Sequence, residues 1–294
     1  MKKIFLLSVI AATFSVAGYS QSLNSHANAN NVPAKVTHDY VDLGLPSGTL
    51  WATMNIGANA PEECGDYFAW GEIEPKESYN WITYKWCNGS WNSMIKYGVK
   101  SSFGVVDNKT ELDPEDDAAT MNWGSEWCMP TKEQQDELRN NCTREWTTIN
   151  GVKGCLLTSN INEATLFLPA AGYIWNSTVS SGGSSGFYWS RNLKTTGAGS
   201  HSLFFSSNSM SITDYSRGYG QSVRAVRAPE GWGPQLLKGD VNGDGDVNVN
   251  DVTVLINYIL GKNPTPFVEA NADVNGDEAI NVNDVTALIN MILN

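Results

Sequence analysis

The C-terminal end of the chain repeats itself, and this repeat constrains the fold more than any other feature. Residues 240–260 read DVNGDGDVNVNDVTVLINYIL and residues 273–293 read DVNGDEAINVNDVTALINMIL, which are identical at 16 of 21 positions with a period of 33 residues. Self-similarity of this kind is typical of one structural unit that is used twice. We therefore predict that residues 237–294 form a small paired module.

Each copy of the repeat begins with a loop in which oxygen-bearing side chains occupy positions 1, 3, 5, 9 and 12. A calcium ion takes six to eight oxygen ligands, and a loop that alternates ligand and non-ligand residues can wrap around one ion. Position 7 contributes its backbone carbonyl in such loops. We predict two Ca²⁺ ions, and the candidate metal ligands are Asp240, Asn242, Asp244, Asp246, Asn248 and Asp251 in the first loop and Asp273, Asn275, Asp277, Ala279, Asn281 and Asp284 in the second.

The two loops differ at position 6, where the chain turns sharply. Gly245 suits this turn in the first loop, whereas Glu278 occupies the same position in the second. A residue other than glycine in a left-handed conformation costs on the order of 1 kcal/mol, so we expect the second site to be weaker. Position 8 is Val247 or Ile280, and we expect both side chains to turn inward and join the core.

A helix is predicted after each loop, because apolar residues recur at helical spacing. The two predicted stripes, each assigned to the interface between the helices, consist of Val252, Leu255, Ile256, Ile259 and Leu260 in the first copy and Val285, Leu288, Ile289, Ile292 and Leu293 in the second. Calcium would neutralise carboxylates that otherwise repel one another within each loop. The module should therefore loosen or unfold without the ion.

Each loop precedes only one helix, and position 12 is Asp, whereas an EF-hand has flanking helices and Glu at that position. In these features residues 237–294 resemble a type I dockerin. The resemblance implies an all-α module that docks onto a cohesin-like partner. Positions 10 and 11, which often help to select the partner in that family, are Val249 and Asn250 in one copy and Val282 and Asn283 in the other. Their identity leads to the hypothesis that either helix can present the docking face.

The middle of the chain has short apolar or aromatic segments separated by Gly, Asn and Ser, which predicts a strand-rich region. Seven segments between Tyr40 and Arg227 carry a second resemblance: YVDLGLPSGTLWATMNIGA, GDYFAWGE, LDPEDDAA, WCMPTKEQQDEL, FLPAAGY, YWS and GQSVRAVR. They resemble the FISUMP-type domain (Fibrobacter succinogenes major paralogous domain-like) of secreted Bacteroidetes proteins. The resemblance implies an α+β, C-type-lectin-like fold with one or two helices. Cys128 stands where that pattern usually has Arg.

Two helix starts are predicted within the middle region. Thr131 and Gln134 form a capping-box pattern, and Leu138 supplies an apolar contact in the next turn. Asp113 would cap a second, short helix that begins at Pro114. Its acidic residues Glu115, Asp116 and Asp117 fit either the positive end of that helix or a calcium site.

The N-terminus has the pattern of a secretory signal peptide: two lysines, an apolar run from Ile4 to Ala17, and small residues up to Ser20. No Cys follows this run before Cys64, so we do not expect a lipoprotein. The predicted order along the chain is a signal peptide (1–20), a flexible spacer (21–38), the lectin-like domain (39–228), a Pro- and Gly-rich linker (229–236) and the dockerin (237–294). We expect a secreted or cell-surface-associated protein.

Charge and cysteine content limit the remaining partners. The net charge is −12, and from Lys238 onward nine acidic residues face two lysines. Nucleic-acid binding requires clustered Lys and Arg, and the apolar run is too short to cross a bilayer, so we predict neither nucleic-acid binding nor membrane insertion. The five cysteines, an odd number, allow one or two disulfides or only buried thiols.

No catalytic motif is evident in the middle region, and its catalytic residues are unknown. His201 is the one histidine outside the predicted spacer (21–38), and no recognisable nucleophile motif accompanies it. Asp66, Glu72 and Glu74 are candidates for a glycosidase acid/base pair, although spacing along the chain does not give their separation. Sugar-stacking candidates, which also fit a core role, are Trp51, Trp70, Trp81, Trp86, Trp123, Trp127 and Trp189.

These observations favour a non-catalytic binding or adhesion protein, whose lectin-like domain contacts a glycan or a surface protein in a carbohydrate-related context. The alternative is a dockerin-borne enzyme of polysaccharide catabolism, a hydrolase that acts on glycosidic bonds. A scaffold protein without a small ligand is the third possibility.

Overall fold

The computed structural model describes residues 38–195, 197–233, 237–277 and 279–293. The predicted signal peptide, the predicted spacer up to residue 37, and Glu278 lie outside this part. In the described chain, no helix is long and apolar enough to cross a membrane.

Twelve short strands occur within the described part of residues 40–227: β1 (Tyr40–Asp42), β2 (Leu50–Ala52), β3 (Trp127–Cys128), β4 (Cys142–Ile149), β5 (Val152–Ser159), β6 (Thr165–Pro169), β7 (Tyr173–Trp175), β8 (Thr178–Ser180), β9 (Ser185–Leu193), β10 (Gly199–Ser206), β11 (Met210–Ser216) and β12 (Val226–Arg227). They form a four-stranded sheet in the order β1-β2-β12-β3, two three-stranded sheets, β4-β5-β6 and β9-β10-β11, and the β7-β8 hairpin. Val226 pairs with both Trp51 and Cys128. The first and last strands of this region therefore meet in one sheet.

The β4-β5 hairpin illustrates how local sequence determines a connection. Asn150 and Gly151 link the two strands, and both have positive φ, at 48° and 84°. Asn-Gly suits this two-residue turn because both residues tolerate the left-handed conformation. The register pairs Ile149 with Val152 directly across the turn.

Five α-helices lie in the described chain: α1 (Ala118–Trp123), α2 (Lys132–Asn141), α3 (Val249–Ile259), α4 (Glu269–Ala272) and α5 (Val282–Leu293). The predicted capping box of α2 is confirmed, because the Thr131 side chain accepts from the Gln134 backbone and the Gln134 side chain accepts from the Thr131 backbone. Leu138 of α2 is fully buried in the core. A strand-rich fold with few helices is thus confirmed for the middle region.

The second predicted helix start is only partly correct. Pro114–Asp116 is a short 3-10 helix, and the Asp113 side chain makes no capping hydrogen bond. Asp117 is the true cap, of α1, and its Oδ1 accepts from Ala119 N at 2.9 Å and Thr120 N at 3.0 Å. Lys96 Nζ lies 2.8 Å from Asp113 Oδ2 and 2.6 Å from Asp116 Oδ2. Lys96 thus brings an ammonium group to Asp116, within the cluster for which calcium was the alternative.

The middle region has three apolar clusters, and the largest side chains in them are aromatic. Trp51, Trp70, Trp127 and Trp189 are at most 2% exposed, so these four sugar-stacking candidates belong to the core. All five cysteines are free thiols, and four of them are buried. Cys128 Sγ lies 3.1 Å from Arg191 Nη1.

Trp232, which was assigned to the linker, packs against the middle region. Its Nε1 donates to Thr120 Oγ1 at 2.8 Å, and the Arg191 guanidinium lies 4.4 Å from its ring centroid. The ring also contacts the apolar cluster that contains Trp51 and Val226. The polypeptide is therefore held to this region up to residue 232.

A separate apolar cluster organises residues 241–292. Val241, Leu255, Ala272, Val274 and Leu288 are buried in it, and α3 packs against α5. The predicted inward position of Val247 and Ile280 is confirmed, because both pack against this cluster. The predicted stripes are partly wrong, however, since five of their members are exposed: Ile256, Ile259, Leu260, Ile289 and Leu293.

Candidate metal centre and docking faces

Asp251 links the first loop to the helix that follows it. Its Oδ1 accepts from Asn242 N at 3.0 Å, and its Oδ2 accepts from Asn248 N at 2.8 Å. The latter bond is half of a capping box with Asn248, whose Oδ1 accepts from Asn250 N at 2.8 Å. The side chain at position 12 is therefore fully buried and joins the start of the loop to the start of α3.

Other acidic side chains of the first loop accept hydrogen bonds from the backbone of the same loop. Asp240 accepts from Asp244 N at 3.1 Å and from Gly245 N at 2.9 Å. Asp244 in turn accepts from Asp246 N at 3.0 Å. These short-range bonds close the loop around the side-chain oxygens of positions 1, 3 and 5.

The second loop repeats this arrangement. Asp284 accepts from Asn275 N at 3.1 Å and from Asn281 N at 2.8 Å, and it is fully buried. Asp273 accepts from Gly276 N at 2.7 Å and from Asp277 N at 3.1 Å. The loops thus have equivalent hydrogen bonds at position 12, and in both loops the position 1 carboxylate accepts from the position 5 backbone.

Three carboxylates converge in the second loop. One oxygen each of Asp273, Asp277 and Asp284 lies within 4.8 Å of the other two. Ligand oxygens placed about 2.3 to 2.6 Å from one Ca²⁺ ion are separated by at most about 5 Å. The oxygen-only donor set and this separation fit a hard divalent cation, whose charge would offset the repulsion among the three carboxylates.

The remaining predicted ligands have more varied surroundings. Asn242 Nδ2 donates to Asp244 Oδ2 at 2.8 Å, and Asn275 Nδ2 donates to Asp277 Oδ2 at 3.0 Å. Asn248 Oδ1 and Asn281 Oδ1 accept from the second residue of the following helix, so the position 9 side chains act as helix caps. A position 9 residue in such loops often reaches the ion through water, which is compatible with this geometry.

The position 7 residues and the turn before them complete the loops. The Ala279 carbonyl accepts from Asn281 Nδ2 at 3.3 Å, and the Asp246 side chain is exposed. Gly245 has a φ of +92°, and a Cβ atom built on it would meet nothing within 4 Å. A larger residue at this position would therefore have space, and its cost would be backbone strain alone.

Two equivalent apolar faces lie on the outside of α3 and α5. Val249 and Val282 are 68% and 67% exposed, and Ile256 and Ile289 are each 40% exposed. Leu260 and Leu293 continue the two rows at the helix ends. Spacings of seven and eleven residues place each row on one side of its helix. We call these rows the α3 face (Val249, Ile256, Leu260) and the α5 face (Val282, Ile289, Leu293).

Two of the middle region's candidate acid/base and imidazole groups, Glu72 and His201, contact charged side chains, whereas Asp66 and Glu74 are exposed. Glu72 is mostly buried, and its Oε2 lies 2.7 Å from Lys76 Nζ. His201 Nδ1 lies 2.7 Å from Asp214 Oδ1. Trp86 and Trp123 are half-buried and contact apolar clusters, whereas Trp81 lines an open cleft together with Trp91 and Trp175. Trp91 and Trp175, which line this cleft, are not among the sugar-stacking candidates named from the sequence.

Comparison with known proteins identifies the C-terminal module. A family model described as the dockerin type I domain matches residues 238–293. No curated protein matches the chain significantly. Two similar solved structures are crystal structures of CaDoc0917–CaCohA2 complexes, at pH 5.5 and 5.4, each with one arginine-to-aspartate change in CaDoc0917. In both, the identity is 36%, the TM-score is 0.19 and the match covers 20% of this chain, with 97% and 98% of the other chain covered. With their two oxygen-rich loops and paired helices, residues 238–293 of this chain therefore form a dockerin type I domain.

Proposed function

We propose that this protein is exported and that its dockerin domain, with two bound calcium ions, attaches it to a cohesin-like partner. The observation that carries the proposal is the pair of exposed apolar faces on α3 and α5. Val249, Ile256 and Leu260 are matched one for one by Val282, Ile289 and Leu293, and none of the six is buried in the domain core. Exposed apolar patches bordered by polar groups are typical of protein interaction sites.

The duplication of these faces supports two equivalent modes of docking. Asn250 and Asn283 are exposed beside Val249 and Val282, so positions 10 and 11 present the same groups in each copy. A partner that recognises one face would meet almost the same surface on the other after the domain turns over. Loss of one face would then leave the second available.

Surface plasmon resonance on immobilised type I cohesin domains, at saturating calcium, tests this proposal. We expect Ile256→Asp and Ile289→Asp each to weaken binding about two-fold, since one of two modes remains, and the double variant to lose more than about 100-fold. Ile161→Asp, which adds the same charge at an exposed site of the middle region, is the control. Absence of binding by the unmodified protein would leave the module a calcium-dependent structural cap instead.

Calorimetry of the full chain tests the metal content. We expect two calcium ions per molecule, with the second loop the weaker, and the loss of one ion in each of Asp240→Ala and Asp273→Ala. A single ion in the unmodified protein would mean that Glu278 disables the second loop.

The proposed role of the middle region is that of a C-type-lectin-like binding domain that the dockerin displays on the partner. Its aromatic surface residues support a carbohydrate-related context, and Glu72 is held by Lys76 rather than free for acid/base chemistry. Secretion by an N-terminal signal peptide would place such a domain outside the cell, where cohesin-bearing partners and glycans are found.

A further inference from the structure

We infer that the middle region binds a neutral sugar chain in the open cleft lined by Trp81, Trp91, Trp175, Tyr215 and Tyr219. This inference deepens the proposed role of the middle region by naming its site and ligand class. The cleft has a volume of about 440 Å³. That volume lies within the roughly 300 to 1,000 Å³ range of small-ligand sites in proteins.

Four separate segments supply the walls of this aromatic cleft. Trp81 and Trp91 come from the long segment between β2 and β3, Trp175 ends β7, and Tyr215 and Tyr219 lie at and after the end of β11. Lys194, after β9, and Asp214, on β11, form its polar edge. Residues distant in sequence thus converge on one concave surface.

The aromatic rings in the cleft are held in place by their neighbours. Trp175 contacts Tyr219 edge-on, with ring centroids 4.6 Å apart, and Tyr219 stacks on Tyr173 at 5.2 Å. Trp81 packs edge-on against Tyr84, which is buried and donates to the Trp70 carbonyl at 2.8 Å. Rings fixed in this way lose little conformational entropy when a ligand binds.

The exposure of Trp91 distinguishes the cleft from the core. Trp91 is 49% exposed and contacts Phe103, whereas four other tryptophans of the region are at most 2% exposed. Trp91 therefore lies at the surface and lines the cleft together with Trp81 and Trp175, although the same fold buries four other tryptophans. Three tryptophan rings that line one cleft offer a ligand an aromatic surface that the buried tryptophans cannot provide.

The polar edge indicates which ligand fits. Asp214 forms an ion pair with Lys194, so its negative charge is balanced within the edge, and its Oδ1 also lies 2.7 Å from His201 Nδ1. The side chains of all three are between 22% and 35% exposed, which leaves donors and acceptors open to a ligand's hydroxyl groups. A pyranose ring has an apolar C–H face and a polar rim, and so matches an aromatic surface with a neutral hydrogen-bonding edge.

Titration of the full chain at saturating calcium with neutral oligosaccharides provides the test. The probes are cello-, xylo-, manno- and malto-hexaose, and tryptophan emission is the readout, since all 11 tryptophans lie between residues 51 and 232. We expect at least one probe to bind, with an affinity unchanged between 50 and about 500 mM salt, because no net charge is involved. We expect Trp175→Ala and Trp91→Ala each to weaken this binding about ten-fold.

Two control variants separate the possible failures. Tyr40→Ala removes an aromatic ring that is 52% exposed outside the cleft, and it should leave sugar binding unchanged. The Ile256→Asp/Ile289→Asp double variant should bind sugar normally while it loses cohesin binding. Sugar binding without cohesin binding in the unmodified protein would overturn docking alone, and the converse would overturn the cleft assignment alone.

Other outcomes of the titration would also overturn the inference. Binding that Trp175→Ala and Trp91→Ala leave intact would place the site elsewhere. Absence of binding to all four probes by a protein with native tryptophan emission would exclude the neutral-sugar class. Chromatography would detect shorter sugars released from a probe. Their release would mean that the cleft hydrolyses its ligand and is not only a binding site.

Discussion

Asp251 and Asp284 combine two roles in single carboxylates. Each accepts two backbone N–H groups that join the ends of its loop, and each occupies position 12 of a proposed calcium loop. Spacing along the sequence predicts both residues as ligands. Their role in holding the start of the helix was not predicted. It requires the backbone N–H of position 3 to lie next to the position 12 carboxylate, and only the folded loop brings these two positions together.

We predict that Asp251→Ala removes one calcium ion and also loosens α3, whereas Asp246→Ala keeps both ions. The expected difference follows from position 7, which offers its backbone carbonyl and whose side chain is exposed. Calorimetry gives the number of ions, and far-ultraviolet circular dichroism gives the helix content. Equal loss of calcium in the two variants would mean that the Asp246 side chain is itself a ligand.

Asp117 gives the middle region a pH-dependent stability. Burial raises the pKa of its carboxyl from 3.8 to about 6, although backbone N–H groups of Thr120, Met129 and Ala119 oppose the shift. Between pH 3.8 and about 6, the Asp117 carboxyl therefore keeps its proton in the folded state and loses it in the unfolded state. The stabilisation is fully present below about pH 4 and is lost as the pH rises through about 6.

We predict that Asp117→Asn, which cannot ionise, removes this dependence. Between pH 4 and 7, the free energy of unfolding of the unmodified protein should fall relative to that of the variant by roughly 2 kcal/mol. Urea unfolding followed by tryptophan emission measures this difference for the middle region. Parallel pH profiles for the two proteins would show that Asp117 has an ordinary pKa in the folded state.

The helices of the dockerin show how far periodicity can assign a buried face. Val252 and Leu255 of α3 pack in the apolar cluster, whereas Val249 and Ile256 lie on another side of the helix and are exposed. A short helix that is apolar on two sides does not reveal which side is buried. Leu255 and Leu288 were correctly assigned to the core, but Ile256 and Ile289 belong to the exposed α3 and α5 faces, because the loop residues Val241 and Val274 fill the interior instead.

We predict that exchanging the position 6 residues between the loops exchanges their calcium affinities. Glu278→Gly should strengthen the second site about five-fold, and Gly245→Glu should weaken the first by a similar factor, since the left-handed turn costs a residue other than glycine on the order of 1 kcal/mol. Gly243→Ala, at another positive φ of +72° in the first loop, tests whether any strained turn has this effect. If the two sites kept their unequal calcium affinities in the Glu278→Gly variant, the residue at position 6 would not be the cause of the difference.

At the scale of the whole molecule, the sequence predicted the two kinds of structure but not the distribution of the aromatic residues. Glycine-separated apolar segments indicated the strands, and the repeat indicated the paired loops and helices. Trp70 and Trp91, by contrast, both lie in the long segment between β2 and β3, yet one is fully buried and the other is half exposed. That difference depends on long-range pairing between strands, which local sequence does not encode.

Chelation of calcium should affect the two parts of the molecule differently. The dockerin should lose helix because its buried Asp251 and Asp284 carboxylates would be left without a cation. The middle region, which contains every tryptophan, should keep its emission spectrum. Circular dichroism and tryptophan fluorescence of one EDTA-treated sample check both expectations, and addition of excess calcium is the control. A shift in emission would mean that the middle region also depends on calcium.

The anchoring of Trp232 sets the reach of the tether between the two parts. Since the Trp232 ring is fastened to Thr120 and Arg191, the connection to the dockerin begins only at Gly233. From Gly233 to Leu237 the chain spans at most about 15 Å, the length of four extended peptide units. A partner-bound dockerin therefore keeps the aromatic cleft within a small volume, and many copies along one scaffold would offer their clefts at closely set intervals. Weak single contacts with a polymeric sugar would then add up through local concentration, without any increase in the affinity of one cleft.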